Sequence, residues 1–265
     1  MITGLVLMTG ALVKAQEAGE FVVPLSDPAK RGKLKVHLNS GSISIKGTAR
    51  KDILVQYSSS DRKEKEQNKN KAGKEGLTLI SSGTLDLEVS EHENAVTVRS
   101  ESWNTKLDVQ LEIPLGFDLW AHTYNNGDIQ VTNIQGIVEM TNYNGKIRGE
   151  GISGSAVATT YNGEIVVRFD KVTEGTPMSF STYNGNIDLT FPATWKASLK
   201  MKTERGEIYS GFEMNVTKSD PVQQKDTKSG TYKVLIDDWV KGDVNGGGAE
   251  FTIKNYNGDI YIRKK

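Results

Sequence analysis

The sequence predicts an all-β protein whose C-terminal half is a β-solenoid, a stack of short strands with about 18–22 residues in each coil. Three observations predict it: a corner sequence that recurs along the chain, apolar residues that alternate with polar ones on both sides of that corner, and a composition of 27 glycines against 6 prolines. Frequent glycine indicates tight turns, and alternation with a period of two residues is typical of strands with one buried face. The chain before the repeats is expected to be irregular but also built from strands.

The recurring corner reads Tyr-Asn-Gly-x-Ile. Four copies begin at Tyr143, Tyr161, Tyr183 and Tyr256, and a fifth copy at Tyr124 has one additional asparagine before its glycine. A degenerate copy at 203–208 continues the series, so that Gly127, Gly145, Gly163, Gly185 and Gly206 lie 18, 18, 22 and 21 residues apart. Because Asn-Gly also suits two-residue hairpins, a meander or sandwich is the alternative architecture. The fixed period favours parallel coils about 4.8 Å apart, with glycine supplying the positive φ of each corner.

The alternation also predicts where the tyrosines point. Phe180 and Thr182 share the buried face of one strand, which places Tyr183 on the outer face. The same count predicts an outward stripe that comprises Tyr124, Tyr143, Tyr161 and Tyr183, with Asn39 and Glu204 in equivalent positions and Tyr256 rejoining after an excursion of the chain. The stripe has two interpretations: a contact surface for a ligand, or a set of rings that stack on each other and stabilise the corners.

The chain organisation follows from composition. Residues 1–15 are expected to be a secretory signal peptide, because the apolar run at 2–13 is too short to span a bilayer and ends in small residues; an ordinary strand or helix is the alternative. Residues 20–118 form an N-terminal strand region with a hairpin at 92–94 and a solvated polar loop at 61–76. Residues 119–265 hold the solenoid repeats, interrupted by an excursion at about 213–248. No later stretch is apolar enough to be an integral membrane span.

The composition argues against several function classes. Thirty-three basic and 33 acidic residues balance, which argues against nucleic-acid binding, and the lack of cysteine excludes thiolate chemistry. The three histidines (His37, His92 and His122) lie apart without a nucleophile signature, so no catalytic residue, metal or cofactor is expected. The acidic-aromatic cluster of Asp237, Asp238, Trp239 and Asp243 is interpreted as a structural loop.

Several sequence segments together indicate a family resemblance: the Thr-Tyr-Asn-Gly-x-Ile series, Ile113-Pro114-Leu115-Gly116-Phe117, the stretch 205–210 and the stretch 245–263. Over residues 20–265 they resemble a bacterial family of adhesin-like proteins, a domain of unknown function. The resemblance implies an exported β-solenoid of the Gram-negative envelope, in the periplasm or on the cell surface, and it brings no catalytic or binding residues with it.

The expected function is therefore that of a non-enzymatic, adhesin-like or envelope binding protein whose partner is a glycan or an envelope protein. A structural or regulatory envelope component that pairs with another protein through an open solenoid end is the alternative, and a carbohydrate-active enzyme is the third.

Overall fold

The computed structural model describes residues 17–61, 86–218, 222–226, 231–235 and 239–265, and in these ranges every regular element is a β-strand. The expected signal peptide, nearly all of the polar loop and part of the excursion lie outside the described residues. Within the ranges given, there is no helix that is both long and apolar enough to cross a bilayer.

The strands, numbered along the chain, form two sheets with the core between them. The sheet that carries the tyrosine corners is called here the tyrosine sheet, and it contains β2 (Lys33–Ser40), β5 (Glu88–His92), β6 (Ala95–Ser100), β8 (Asp118–Asn125), β10 (Ile137–Asn142), the second half of β11 (Ile147–Asn162), β13 (Met178–Asn184), β15 (Ala197–Arg205), β17 (Met214–Lys218), β20 (Val240–Val244) and β21 (Glu250–Asn257). The opposite sheet contains β1 (Glu17–Pro24), β3 (Ile43–Thr48), β4 (Asp52–Asp61), β7 (Thr105–Pro114), β9 (Ile129–Thr132), the first half of β11, β12 (Ile165–Val172), β14 (Ile187–Phe191), β16 (Ile208–Ser210) and β22 (Ile260–Lys264). A separate antiparallel pair is formed by β18 (Val222–Asp226) and β19 (Thr231–Leu235).

Parallel pairing of the repeats confirms the solenoid and excludes the meander. Ile129, Ile147, Ile165 and Ile187 follow successive corners; they pair in register as β9, β11, β12 and β14, and all four are fully buried. Each corner carries the chain from the tyrosine sheet to the opposite sheet. After its corner, β11 then runs without interruption from the opposite sheet back to the tyrosine sheet. Equivalent residues of successive coils therefore lie on top of one another.

The order of the coils in space differs from their order in the sequence at both ends. The final strands β21 and β22 lie between the coil of β13 and β14 and the coil of β15 and β16. At the other end, β2 and β3 lie between β6 and β7 on one side and β8 and β9 on the other. The N-terminal region therefore contributes coils to the same stack as the repeats, and the last coil is an internal one.

Antiparallel strands add to the parallel stack at its ends. At the N-terminal end, β4 and β1 extend the opposite sheet and β5 extends the tyrosine sheet, with the expected hairpin confirmed by positive φ at Glu93 and Asn94. At the other end, β20 and β17 extend the tyrosine sheet beside β15. Short or antiparallel edge strands are a common way to end a sheet without exposing a long parallel edge.

The core confirms the predicted alternation. Phe180 and Thr182 are buried, and so are the inward residues of the neighbouring coils, Leu119, Ala121, Leu199, Met201, Phe251 and Ile253. Near β14 the core is aromatic, because Phe191 stacks on Phe169 with ring centroids 5.0 Å apart and on Trp195 at 3.7 Å. Burial of such rings, together with the isoleucine ladder, supplies the hydrophobic free energy of the stack.

Candidate functional site

Five tyrosine rings form a continuous stack along the outer edge of the tyrosine sheet. This set is called here the tyrosine ladder, and its successive ring centroids are 4.8, 5.1, 4.9 and 4.5 Å apart with interplanar angles of 11° or less, in the order Tyr124, Tyr143, Tyr161, Tyr183 and Tyr256. The first four side chains are exposed by 37–42%, as the alternation predicted. Because β21 lies beside β13, Tyr256 directly follows Tyr183 in the stack.

Stacking determines which atoms of the ladder can meet a ligand. Every interior ring has a neighbour on both faces, Trp103 packs edge-on at 5.2 Å against Tyr124, and the Arg205 guanidinium lies 5.6 Å over Tyr256. The ring edges and phenol hydroxyls are what remains for contact. The ladder is therefore a row of hydrogen-bonding groups at the spacing of the strands, and its geometry disfavours stacking of a sugar on any single ring.

An asparagine ladder runs beside the tyrosine ladder and fixes the corners. In each step, the side-chain Nδ2 of one asparagine donates to Oδ1 of the next over 2.6–2.8 Å, along Asn257, Asn184, Asn162, Asn144 and Asn125. Each amide inside this series both donates and accepts, so the carboxamide planes cannot turn independently. Such amide ladders are typical of in-register parallel stacks, and here they hold the adjoining tyrosines in position.

The corner glycines are required by close approach, and the predicted reason for them is wrong for most corners. Gly127, Gly145, Gly163 and Gly206 do not have left-handed φ. Gly185 and Gly258 do, and so does Gly41, which occupies the equivalent corner between β2 and β3. A Cβ on Gly145 would lie 2.1 Å from the carbonyl oxygen of Gly127, and one on Gly163 would lie 2.0 Å from that of Gly145. A backbone-to-backbone contact this close admits no side chain.

In six coils a buried or half-buried polar side chain satisfies the carbonyl of the adjacent corner glycine. The donors are threonine hydroxyls or asparagine amides at 2.7–3.0 Å, and they are Thr123, Asn142, Thr160, Thr182, Thr203 and Asn255. The threonine hydroxyl donates its one hydrogen to the glycine carbonyl. Asn142 and Asn255 also donate to a glycine carbonyl, but each leaves a buried Oδ1 without a hydrogen-bond partner among the described residues. An unsatisfied buried acceptor lowers the stability of the folded state.

Replacing Asn142 by threonine is therefore expected to stabilise the protein. The threonine hydroxyl keeps the donor to Gly127 and removes the orphaned oxygen, which is worth about 1 kcal/mol. Chemical denaturation of Asn142→Thr measures the gain, and Thr160→Asn is the matched reverse change, with a loss of similar size. A destabilised Asn142→Thr variant would show that its Oδ1 is satisfied in solution.

At three corners, the outward residue after the glycine accepts a hydrogen bond from the backbone. A carboxylate or amide oxygen at this position accepts from the backbone N–H of the adjacent coil, as Asp128 does from Lys146 at 2.7 Å and Asp259 from Glu207 at 2.9 Å. These side-chain oxygens therefore cap backbone amides of the adjacent coil. These carboxylates are engaged in holding the corners together.

A second aromatic pair on the opposite sheet was not predicted. Tyr209 and Tyr261 stack at 5.2 Å, and each hydroxyl donates to the acidic residue two positions earlier, Glu207 and Asp259 respectively. The hydrogen bond and the negative charge of Glu207 raise the pKa of Tyr209 to about 12. In the tyrosine ladder, desolvation and then the neighbouring phenols raise the pKa of Tyr183. The sequence did contain a signal for the pair of Tyr209 and Tyr261, because each of these tyrosines follows its corner glycine in the same Gly-x-Ile-Tyr pattern.

The remaining candidate groups do not converge on a catalytic arrangement in the described part of the chain. His37 and His122 pair across β2 and β8 at 4.9 Å between ring centroids, next to Trp120, and burial followed by the charge of His37 lowers the pKa of His122. No group of three or more potential metal ligands occurs in the described ranges. Asp237 and Asp238 lie outside those ranges, and Asp243 accepts a hydrogen bond from Ser198.

The geometry places the protein in a class, that of parallel β-solenoids with an external tyrosine ladder. Residues 6–245 match the family described as Toastrack DUF4097, and the chain belongs to this family. A "putative cell adhesion protein" from Clostridium sporogenes is similar in structure, with a TM-score of 0.51 and 10% identity over 95% of this chain and 100% of that one. At this identity the likeness shows a shared fold.

A second solved structure, a "putative adhesin" from Bacteroides fragilis, aligns with a TM-score of 0.39 and 10% identity over 95% of this chain and 98% of that one. This score is too low to support an argument about either fold or function. No curated protein matches the sequence. The family assignment confirms the resemblance that the corner motifs indicated.

Proposed function

We propose that the protein is an exported, non-enzymatic, adhesin-like binding protein and that the tyrosine ladder is its contact surface. The observation that carries this proposal is the row of half-exposed rings, Tyr124 to Tyr183, held at a fixed spacing by the asparagine ladder beside it. Tyrosine offers large contact area at low entropic cost, and here the stacking removes most of the freedom that binding would otherwise have to restrict.

The covered ring faces define the kind of ligand. Contact through hydroxyls and ring edges favours an elongated partner that lies along the stack and meets several phenols at once. A glycan chain or an extended segment of an envelope protein has this shape, and both present hydrogen-bonding groups in rows. Each contact is weak, so that affinity depends on the number of consecutive rings that are engaged.

Two matched triple variants separate a contact surface from a purely stabilising ladder. Replacing Tyr143, Tyr161 and Tyr183 by phenylalanine keeps the stacked rings and removes the hydroxyls; replacing them by serine removes both. We expect the phenylalanine variant to keep its melting temperature and to lose binding by about tenfold or more. The serine variant should also lose stability, by about 0.5–1.5 kcal/mol for each stacked pair.

Binding is measured on a glycan array and by attachment to whole bacterial cells, and melting by calorimetry. Full binding by the phenylalanine variant would show that the tyrosine hydroxyls do not contribute to binding. An unmodified protein that attaches neither to glycans nor to cells would contradict the adhesin-like role itself.

Export belongs to the same proposal. A signal peptide at residues 1–15 would deliver the protein to the periplasm or the cell surface of a Gram-negative bacterium. Mass spectrometry of the N-terminus of protein recovered from the envelope tests this, with Gln16 as the expected first residue. Recovery of the full-length chain from the cytoplasm would contradict it.

The second candidate function is a structural or regulatory role in which another protein pairs with the end of the solenoid. A cavity of about 580 Å³ at the coil of β15 and β16 favours it, with a lining that includes Met201, Ile208, Phe212, Met214 and Val240. One edge of β16 pairs with β22, and strand addition at the other edge would cover this cavity. A carbohydrate-active enzyme is the third candidate, and release of reducing sugars from envelope polysaccharides tests it.

A further inference from the structure

Six asparagines in this sequence are followed directly by glycine: Asn126, Asn144, Asn162, Asn184, Asn245 and Asn257. Asn-Gly is the dipeptide in which spontaneous deamidation is easiest, because glycine has no Cβ to hinder attack by its own backbone nitrogen. The attack requires that this nitrogen is free to lose its proton and that the asparagine carboxamide can turn towards it. The repeat therefore combines regular corners with a chemical liability.

The stack removes both requirements at four of the six sites. The backbone N–H of Gly145 donates to the carbonyl of Asn162 at 2.9 Å, and the N–H groups of Gly163, Gly185 and Gly258 make the equivalent bonds at 2.8–3.0 Å. The carboxamides of the asparagines that precede these glycines are members of the asparagine ladder. Both the nucleophile and the electrophile are thus held by the adjacent coil.

The corner at Asn126 is different because of its one additional residue. In Tyr-Asn-Asn-Gly, it is Asn125 that accepts from Asn144 and fills the ladder position. Asn126 is consequently displaced outwards: it is exposed, has φ of 61° and keeps one side-chain hydrogen bond, from its Nδ2 to Ser40 Oγ at 3.0 Å. The N–H of Gly127 makes no hydrogen bond within the described part of the chain, unlike the four glycines above.

Asn245 has one of the two protections. The N–H of Gly246 likewise has no partner among the residues that the structure describes. The Asn245 amide, however, donates to the carbonyls of both Trp195 and Ala193, at 2.7 and 3.1 Å. Two such bonds hold the carboxamide away from the nitrogen that would attack it, and its expected rate of deamidation is therefore lower than that of Asn126.

We infer that Asn126 is a site of spontaneous modification, and that it deamidates fastest of the six Asn-Gly sites in the folded protein. The deprotonated backbone nitrogen of Gly127 attacks Cγ of Asn126; the new C–N bond closes a succinimide, and the Cγ–Nδ2 bond breaks to release ammonia. Water then adds to either carbonyl of the succinimide and opens it to aspartate or isoaspartate. No oxidant, metal or enzyme takes part.

The modification changes one corner of the stack. A carboxylate at position 126 adds negative charge two residues before Asp128, and it can no longer donate to Ser40. Isoaspartate also inserts one methylene group into the backbone at the turn between β8 and β9. Both effects weaken the junction between the coil of β2 and β3 and the coil of β8 and β9, next to the first ring of the tyrosine ladder.

The test is peptide mapping by mass spectrometry after incubation of the native protein at mildly alkaline pH. We expect Asn126 to deamidate about tenfold or more faster than Asn144, Asn162, Asn184 or Asn257, because those sites must first break two hydrogen bonds. Protein unfolded in denaturant removes the protection, and its Asn-Gly sites should react at similar rates. Native ladder asparagines that react as fast as Asn126 would overturn the inference.

Deletion of Asn126 is the matched variant, since it converts Tyr-Asn-Asn-Gly into the Tyr-Asn-Gly of the other corners. The remaining asparagine should then stay in the ladder before a hydrogen-bonded glycine, and deamidation at this corner should fall about tenfold. Circular dichroism and melting confirm that the variant folds. Asn126→Ser removes the Asn-Gly dipeptide without a change of length, and it serves as the control that assigns the modified site to residue 126. Continued deamidation of a folded deletion variant at the rate of the parent would contradict the proposed protection.

Discussion

Replacing Gly145 by alanine is expected to destabilise the protein by about 3 kcal/mol or more, a large effect for the addition of one methyl group. The new Cβ would lie 2.1 Å from the carbonyl oxygen of Gly127, which is part of the backbone of the adjacent coil. Neither atom can move alone, because the isoleucine, asparagine and tyrosine rows on both sides tie the two coils together. Relief of the clash would separate the coils at this corner.

Gly116→Ala is the matched control. Gly116 also lies in a turn, but its added Cβ has no atom within 4 Å and its φ is outside the left-handed range. Its free energy of unfolding should change by less than about 0.5 kcal/mol. Denaturant titration of both variants measures the difference, and equal stabilities would show that the corner backbones are not in the close contact described above.

Removal of residues 249–265, which form the last coil, is expected to disorganise strands far from the C-terminus in sequence. In the structure β21 and β22 are the only link in either sheet between β13 and β14 on one side and β15 and β16 on the other, among the described pairings. Truncation would therefore open the stack from within, leaving β15 and β16 without their parallel partners.

Hydrogen exchange is the measurement that distinguishes an internal coil from a terminal one. In the truncated protein, amides of β16 and those of β15 that face β21 should lose protection along with those at the exposed edge of β13 and β14, while β8 to β10 should stay protected. Ile253→Ala is the conservative companion: Ile253 is fully buried in this coil, and the change should cost about 2–5 kcal/mol. Protected β16 amides after truncation would contradict the inserted arrangement.

The sequence contained most of the information about a single coil. The alternation around Phe180, Thr182 and Tyr183 predicted the buried and exposed faces, because a strand permits only two directions for a side chain. The repeated Tyr-Asn-Gly predicted parallel stacking, because identical corners at a fixed spacing can make the same contacts with one another when successive coils are stacked. The stripe of tyrosines follows from these two facts together.

The order of the coils could not be predicted from local patterns, since any coil of the right length fits beside any other. One signal was nevertheless present. The corner positions at Asn39 and Glu204 have no tyrosine, and in the structure both lie in coils outside the run of five tyrosines. Rings gain stacking energy only from adjacent rings, which favours grouping all of the tyrosine corners and placing the coil of Tyr256 next to that of Tyr183.

The reason for the corner glycines was also beyond the sequence, because Asn-Gly suggests a backbone conformation and not a contact. What excludes a side chain at Gly145 is the carbonyl of another coil, 18 residues earlier. The role of Asn126 was also beyond the sequence. The additional residue in its repeat shows no effect in the sequence pattern, and only the structure shows that Asn125 occupies the ladder position and that Asn126 lies outside it.

The inserted position of the last coil also has a consequence for how the chain is made. A ribosome finishes β15 and β16 before it has produced β21, the strand that separates them from β13; the ladder bond from Asn257 to Asn184 joins residues that are 73 positions apart. Until β21 and β22 emerge, β15 and β16 therefore have no parallel partner that joins them to β13 and β14. Closure of such distant pairs is slow. Docking of β15 and β16 onto the parallel stack therefore waits for synthesis of β21 and β22.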